Sequence, residues 1–303
     1  MIKKCIRISP IIIFIMAVIN SKTLYNGALS GIQLWMFTVV PTLFPFLILS
    51  DIMVRLNTTD YISMLLNPIT RPLLAISPSG SYAIITGLLC GYPVGAKTCA
   101  DLVKENKISI QEGNYLLTFV NNASPAFISS YIVNALLFGN CSPLYIATLI
   151  YIPSIITAFI LNPFFRKKIK NNKPLNDSDI SDSVKTFSLE NAIFSTVNTL
   201  LRIGAYIIIF SILCEFIKLL PSHFLKMVLS GLLEITTGTF LVSISTLPFE
   251  WKINFIIFFT SLGGISTLFQ TNSMIDDSGL SIKWYILGKI LSSVISLLLC
   301  FIL

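Results

Sequence analysis

Between Ser81 and Val103, and again between Phe224 and Leu247, a membrane-grade apolar run is interrupted in its middle. The first contains GLLCGYPVGAK (Gly87 to Lys97) and the second GLLEITTGTF (Gly231 to Phe240). Both open on Gly-Leu-Leu and then break at Gly, Pro or Thr with one ionisable residue, Lys97 or Glu234. Lipid gives backbone amides and carbonyls no partner, so a break is tolerated only where protein or a water-filled cavity covers it. Two such segments in corresponding positions of two halves point to a transporter binding site.

The rest of the sequence places these segments in a membrane. Charged residues make up 12% of 303 residues and hydrophobic ones 54%, whereas a soluble domain carries roughly 25% charged residues. Several runs approach the ~20 apolar residues that cross a bilayer. The net charge of +7 is gathered at a few loops, which is a topology signal. No basic stripe with interleaved aromatics exists, so nucleic acid is excluded as a partner. The six cysteines form no CxxC pair and the single histidine, His223, lies in a polar connection. No metal site or cofactor is expected from this set. Neither a Walker loop nor a nucleophile–base pair is present, which argues against an ATP-driven pump and against an enzyme.

The expected fold is all-α and polytopic, built from two inverted repeats, each with spans, a re-entrant hairpin and a broken helix. Residues 1–31 read as a retained first membrane helix and a connection. Residues 32–170 form repeat 1: a span at 32–54, an interfacial stretch at 57–79, a hairpin at about 81–103 and a broken helix at about 111–138. A span at 142–165, ended by the basic run Arg166 to Lys170, completes it. Residues 171–187 are a polar linker. Residues 188–303 form repeat 2: an interfacial helix at 188–201, a span at 202–220, a hairpin at about 224–247, a broken helix at about 251–272 and a last span from Lys283. Placing Lys3, Lys4 and Arg7 inside keeps Arg55, Arg71, Lys104, Lys107 and the Arg166 cluster inside as well. Each repeat then makes three crossings, an odd number that inverts its copy. Lys289, inside the final span, must snorkel or face protein.

The candidate site follows from the breaks. Gly91, Tyr92 and Pro93 suit a tight turn at the first hairpin tip. Lys97 beyond it reads as an anchor for a small anionic substrate, the alternative being a structural pair with Asp101 at i+4. Asn121, Asn122 and Ser124 offer hydrogen bonds where Pro125 removes an amide, either to substrate or to freed carbonyls. Glu234, Thr236 and Thr237 are the counterparts on the second hairpin, and Glu234 is placed to couple a proton or a sodium ion. Gly263, Gly264, Ser266, Thr267 and Gln270 mirror the Asn-Asn-Ala-Ser-Pro break; plain close packing is the other use of such glycines. Arg202 reads as an interfacial snorkeller. The partners expected are this substrate, the lipid bilayer and a coupling ion, with a second copy of the chain left open.

At these residues the chain resembles a known family. GLLCGYPVGAKTCADLVKENKISIQEGNYLLTFVNNASPAFI (Gly87 to Ile128) is similar to the YlbJ-type sporulation integral membrane proteins, within the nucleoside-recognition or Gate-domain membrane proteins. GLLEITTG and the Gly263 to Gln270 segment match that family's second half. The resemblance spans about residues 30–300. It implies a role in endospore formation, in the cell membrane or a membrane around the forespore, and movement of a small anionic metabolite, with dipicolinate the leading candidate. The alternatives are a non-transporting scaffold of a sporulation complex and a nucleoside-type transporter, the latter resting on a domain name alone.

Overall fold

The computed structural model describes residues 14–15, 17–56, 59–171 and 188–302. Among them every regular element is helical. The expected membrane helix at 8–20 falls largely outside the described residues, as does the linker after Asn171. The connection expected before Ile32 is not a loop: α1 (Ser21–Leu34) runs through a π-turn at Trp35–Val39 into α2 (Val40–Arg55). The two arms meet at 53°, and Pro45 within α2 removes an amide there. α3 (Thr59–Leu74) then meets α4 (Pro78–Cys90) at 101°.

The first hairpin consists of α4 and α5 (Val94–Lys104). At ~1.5 Å per residue, their 13 and 11 residues reach about 20 and 16 Å, well short of a ~30 Å hydrocarbon core. The second hairpin, α9 (His223–Leu233) and α10 (Ile235–Ser243), is shorter still. Each pair is held by glycine on glycine. A Cβ on Gly95 would lie 2.9 Å from Gly87 Cα, and a Cβ on Gly238 would run into the Gly231 backbone. The Gly-Leu-Leu glycines therefore mark where the legs cross, since only small residues let helix backbones approach this closely.

α6 (Ile110–Leu117) ends in turns before the irregular stretch Asn121–Ser124, and the chain resumes at Pro125 into the π-helix Phe127–Leu136. In the second half α11 (Phe249–Leu262) and α12 (Gly264–Ile275) meet at Gly263, whose φ of +89° suits glycine. These two stay collinear enough to count as one 27-residue span, so the second break is milder than the first.

Three further helices cross. α7 (Pro143–Asn171) passes through the Arg166 to Lys170 run without ending there. α8 (Leu189–Ile217) is one helix of 29 residues, where an interfacial helix and a separate span were expected. Two of its polar residues make tertiary contacts: Ser195 Oγ donates to Asp51 at 3.1 Å, and the exposed Arg202 Nη1 donates to the Ser273 carbonyl at 3.2 Å. Arg202 thus lies mid-helix, not at a span start. Gly27 and Gly31 of α1 seat α1 directly on the α8 backbone at Ile208 and Ile212. The last helix is α13 (Ile282–Cys300). Four helices are long and apolar enough to cross a membrane, or up to six if each bent pair is one span, among the described residues.

α7 and α13 pack antiparallel as a central pair. Phe165 meets Trp284 at one end, with ring centroids 4.7 Å apart, and Thr157 meets Ser292 at 3.1 Å further along. The first hairpin and α6 share a core with Ala158, Phe165 and Tyr285. The second hairpin and α11 share one with Ile146, Leu149, Ile150 and the Leu299–Cys300 end. The hairpins therefore approach from opposite ends of the pair.

Candidate substrate site between two hairpin tips

One cavity is lined by both tips, by the first break and by α12 just beyond the second break. It is lined by Tyr92 and Pro93 from the first tip, and by Ala123 and Ser124 from the first break. Glu234, Ile235 and Thr236 come from the second tip, and Thr267 and Gln270 from α12. Apolar residues of the π-turn, α2 and α8, among them Val39, Leu43, Ile203 and Ile207, complete the lining. Its volume is about 90 Å³, against roughly 300–1,000 Å³ for sites that take drug-sized ligands. An organic metabolite enters only if the surrounding elements move apart.

The local sequence explains how each element presents its groups. Gly91 holds φ at +78° in the first tip. The Tyr92 amide donates to the Asn122 carbonyl at 2.7 Å, tying the tip to the first break. Ser124 caps the helix that follows, its Oγ accepting from the Phe127 amide at 3.2 Å, with Pro125 at the first helical position where no amide is needed. The exposed carbonyls of the break are answered from afar: the Tyr151 hydroxyl donates to Ala123 O at 2.8 Å. Asn121 is engaged at both ends of its amide, accepting from the Ala96 amide at 3.3 Å and donating to Thr271 Oγ1 at 3.0 Å.

Glu234 is the turn of the second hairpin. It caps α10, its carboxylate accepting from the Thr236 amide at 3.1 Å, the Thr237 amide at 2.7 Å and the Thr236 hydroxyl at 2.5 Å. A carboxylate at a helix N-terminus is favoured by the unpaired amides and the dipole. Tyr131 crosses from the π-helix to donate to the Thr236 carbonyl at 2.8 Å, joining the first half to the second tip. On α12, Gln270 Nε2 donates to Ser266 Oγ at 3.0 Å, and the Thr267 hydroxyl donates to the Gly263 carbonyl.

Among the residues singled out by sequence, Tyr92, Pro93, Ser124, Glu234, Thr236 and Gln270 line the cavity. Gly91, Asn121, Asn122, Thr237 and Ser266 do not line it; Asn122 lines a second cavity with Tyr151 and Ser154. Lys97 is elsewhere. Its ammonium pairs with Asp101 at 2.8 Å and lies 3.7 Å from Asp51 of α2. The geometry realises the structural pair and leaves Lys97 outside the cavity wall.

A different lysine stands at the tip. Lys289 of α13 is buried, with its ammonium 3.4 Å from Asn122 Oδ1 and 5.6 Å from the centre of the Tyr92 ring. The same Asn122 oxygen accepts from Ser154 of α7 at 2.9 Å. In the sequence Lys289 is a single charge inside the final apolar run. The signal that marks its face is the series Ser292, Ser293 and Ser296, all buried, with Thr157 and Ser261 as hydroxyl partners across the helix pairs.

No cluster of metal-ligating side chains occurs among the described residues. The fold is that of an all-α, multi-pass integral membrane protein in which two short helical hairpins bring their tips to one cavity. Compared with known proteins, the chain is 24% identical to the sporulation integral membrane protein YlbJ of Bacillus subtilis (strain 168), across 95% of this chain and 79% of that one. This similarity supports the YlbJ-type family of sporulation integral membrane proteins, as the Gly87 to Ile128 motif implied. No family model and no solved structure matches the chain.

Proposed function

We propose that the protein is a secondary carrier for a small anionic metabolite, acting in a sporulation membrane, with dipicolinate the leading substrate. The observation that supports this reading is the convergence of two hairpin tips, the first helix break and the α12 segment beyond the second break on one cavity. Backbone breaks of this kind are sustained at membrane depth only by protein or a water-filled cavity, and carriers place their sites at such breaks. Both halves contribute: Tyr92 to Ser124 on one side, Glu234 to Gln270 on the other. Their motion about the α7–α13 pair would open the site to each face in turn. Sporulation enters through the relative's description, and no chemical step is assigned to the protein.

The test is uptake of labelled dipicolinate by proteoliposomes, with labelled nucleosides in parallel. Dipicolinate accumulation above protein-free liposomes is the expected result. Nucleoside uptake alone would make the carrier one for nucleosides. Uptake of neither would refute the carrier reading and favour a membrane scaffold.

A further inference from the structure

Lys289 has a chemistry that its surroundings do not use. An ammonium has three donor hydrogens, and among the described residues its one hydrogen-bond acceptor is Asn122 Oδ1, at a long 3.4 Å. No carboxylate lies within 4.0 Å of it among those residues, whereas Lys97, Lys107 and Lys218 all have one. It sits between two aromatic rings, 5.6 Å from the centre of Tyr92 and 5.9 Å from that of Tyr285. A membrane-buried cation is costly and ordinarily faces a partner or a pathway.

The position of the lysine suggests what completes it. Tyr92 stands between it and the cavity, since this residue both lines the cavity and offers its ring to the ammonium. The Tyr92 hydroxyl is itself buried and has no hydrogen-bond partner. A buried donor without a partner costs about 1–3 kcal/mol. Two unspent donors therefore flank one tip, and both await an acceptor. The carboxylate of Glu234 is committed to its own helix cap.

We infer that Lys289 is the cation that receives a carboxylate of the substrate, reached when the Gly91–Pro93 tip moves aside and carries Tyr92 with it. This inference rests on the carrier reading and assigns the charge selectivity of its site. Asn122 holds the lysine in place while the site is empty and, with Ser154, keeps its amide oxygen paired afterwards. Lys97, which sequence favoured for this part, keeps a structural one.

The experiment is dipicolinate uptake and binding by wild-type protein and the Lys289→Met, Lys289→Arg and Lys97→Met variants, each first shown to be monodisperse in detergent. Lys289→Met should lower uptake at least tenfold, Lys289→Arg should retain more than Met, and Lys97→Met should keep the wild-type KM. Wild-type KM in Lys289→Met would overturn the inference and leave the carrier reading intact. If wild-type protein carries no dipicolinate, dipicolinate fails as the transported substrate by itself, and calorimetric binding decides the lysine. Binding lost in Lys289→Met sustains the cation site, while equal binding, or none to wild type, overturns it. Should Lys289→Met not fold, competition on the unaltered protein replaces it. The uncharged diamide of dipicolinate should then compete at least tenfold less well than the dianion, and equal competition would overturn the inference.

Discussion

Adding one methyl group at Gly95 or Gly238 tests whether the hairpin legs are locked together. Alanine at Gly95 would put its Cβ 2.9 Å from Gly87 Cα, 3.1 Å from the Val120 carbonyl oxygen and 3.3 Å from Asn121 Oδ1. Carbon atoms at optimal separation lie about 3.5–4.0 Å apart, so the legs must part by roughly 0.6–1.1 Å. The obstacle on one side is backbone, which no rotamer clears, and the other two contacts close the remaining directions. Overpacking of this kind costs about 1–3 kcal/mol. Alanine in place of glycine returns at most the about 0.5–1 kcal/mol of backbone entropy of a mid-helix position, since both glycines lie in the first turn of their helices. The net is a destabilisation centred near 1 kcal/mol for Gly95→Ala. Gly238→Ala should cost more, because its Cβ meets the Gly231 backbone more closely and lies 2.9 Å from Ser230 C as well. Reversible unfolding in mixed detergent micelles would measure both. The sign decides: a helix position free of the opposite leg would become more stable, by at most about 0.5–1 kcal/mol, on the same change. Stabilisation by either variant would refute the close-packed hairpins.

Other consequences are open to direct measurement. Lys97→Met should lower stability by an amount between the ~0.2–1 kcal/mol of an exposed pair and the ~3–5 kcal/mol of a buried one, because its ion pair with Asp101 is half-covered; unfolding midpoints read this, and no change would show the pair to be idle. Glu112 receives the Ser77 amide and hydroxyl, each at 2.7 Å, at the start of α4. Glu112→Ala should therefore destabilise by about 1–3 kcal/mol through the donors left unpaired, measured in the same micelles. If Glu234 couples an ion, Glu234→Gln should abolish gradient-driven accumulation in proteoliposomes while exchange of internal for external substrate continues. Unchanged accumulation would leave Glu234 a helix cap only.

The breaks were legible in the sequence because their causes are local. A left-handed turn needs glycine at Gly91 and Gly263, and Ser124-Pro125 is a helix start whatever the tertiary setting. All-α membrane architecture followed from the scarcity of charge for the same reason: backbone in lipid has few options. What failed to show was any pairing across distance. The sequence displays Asp101 four residues from Lys97 but hides Asp51, which arrives from α2. Ser195 and Arg202 looked interfacial because their partners, Asp51 and the Ser273 carbonyl, lie on other helices, so one helix was divided into two. Lys289 was hidden by the same limit, since a helix apolar on most faces does not announce which one turns inward. Its serines do, once they are read as a series: hydroxyls at 292, 293 and 296 gain nothing from lipid and gain partners from a facing helix. A row of small polar residues sharing a face with a membrane lysine is thus a better pointer to an internal cation than the lysine's distance from a broken motif, which is what favoured Lys97.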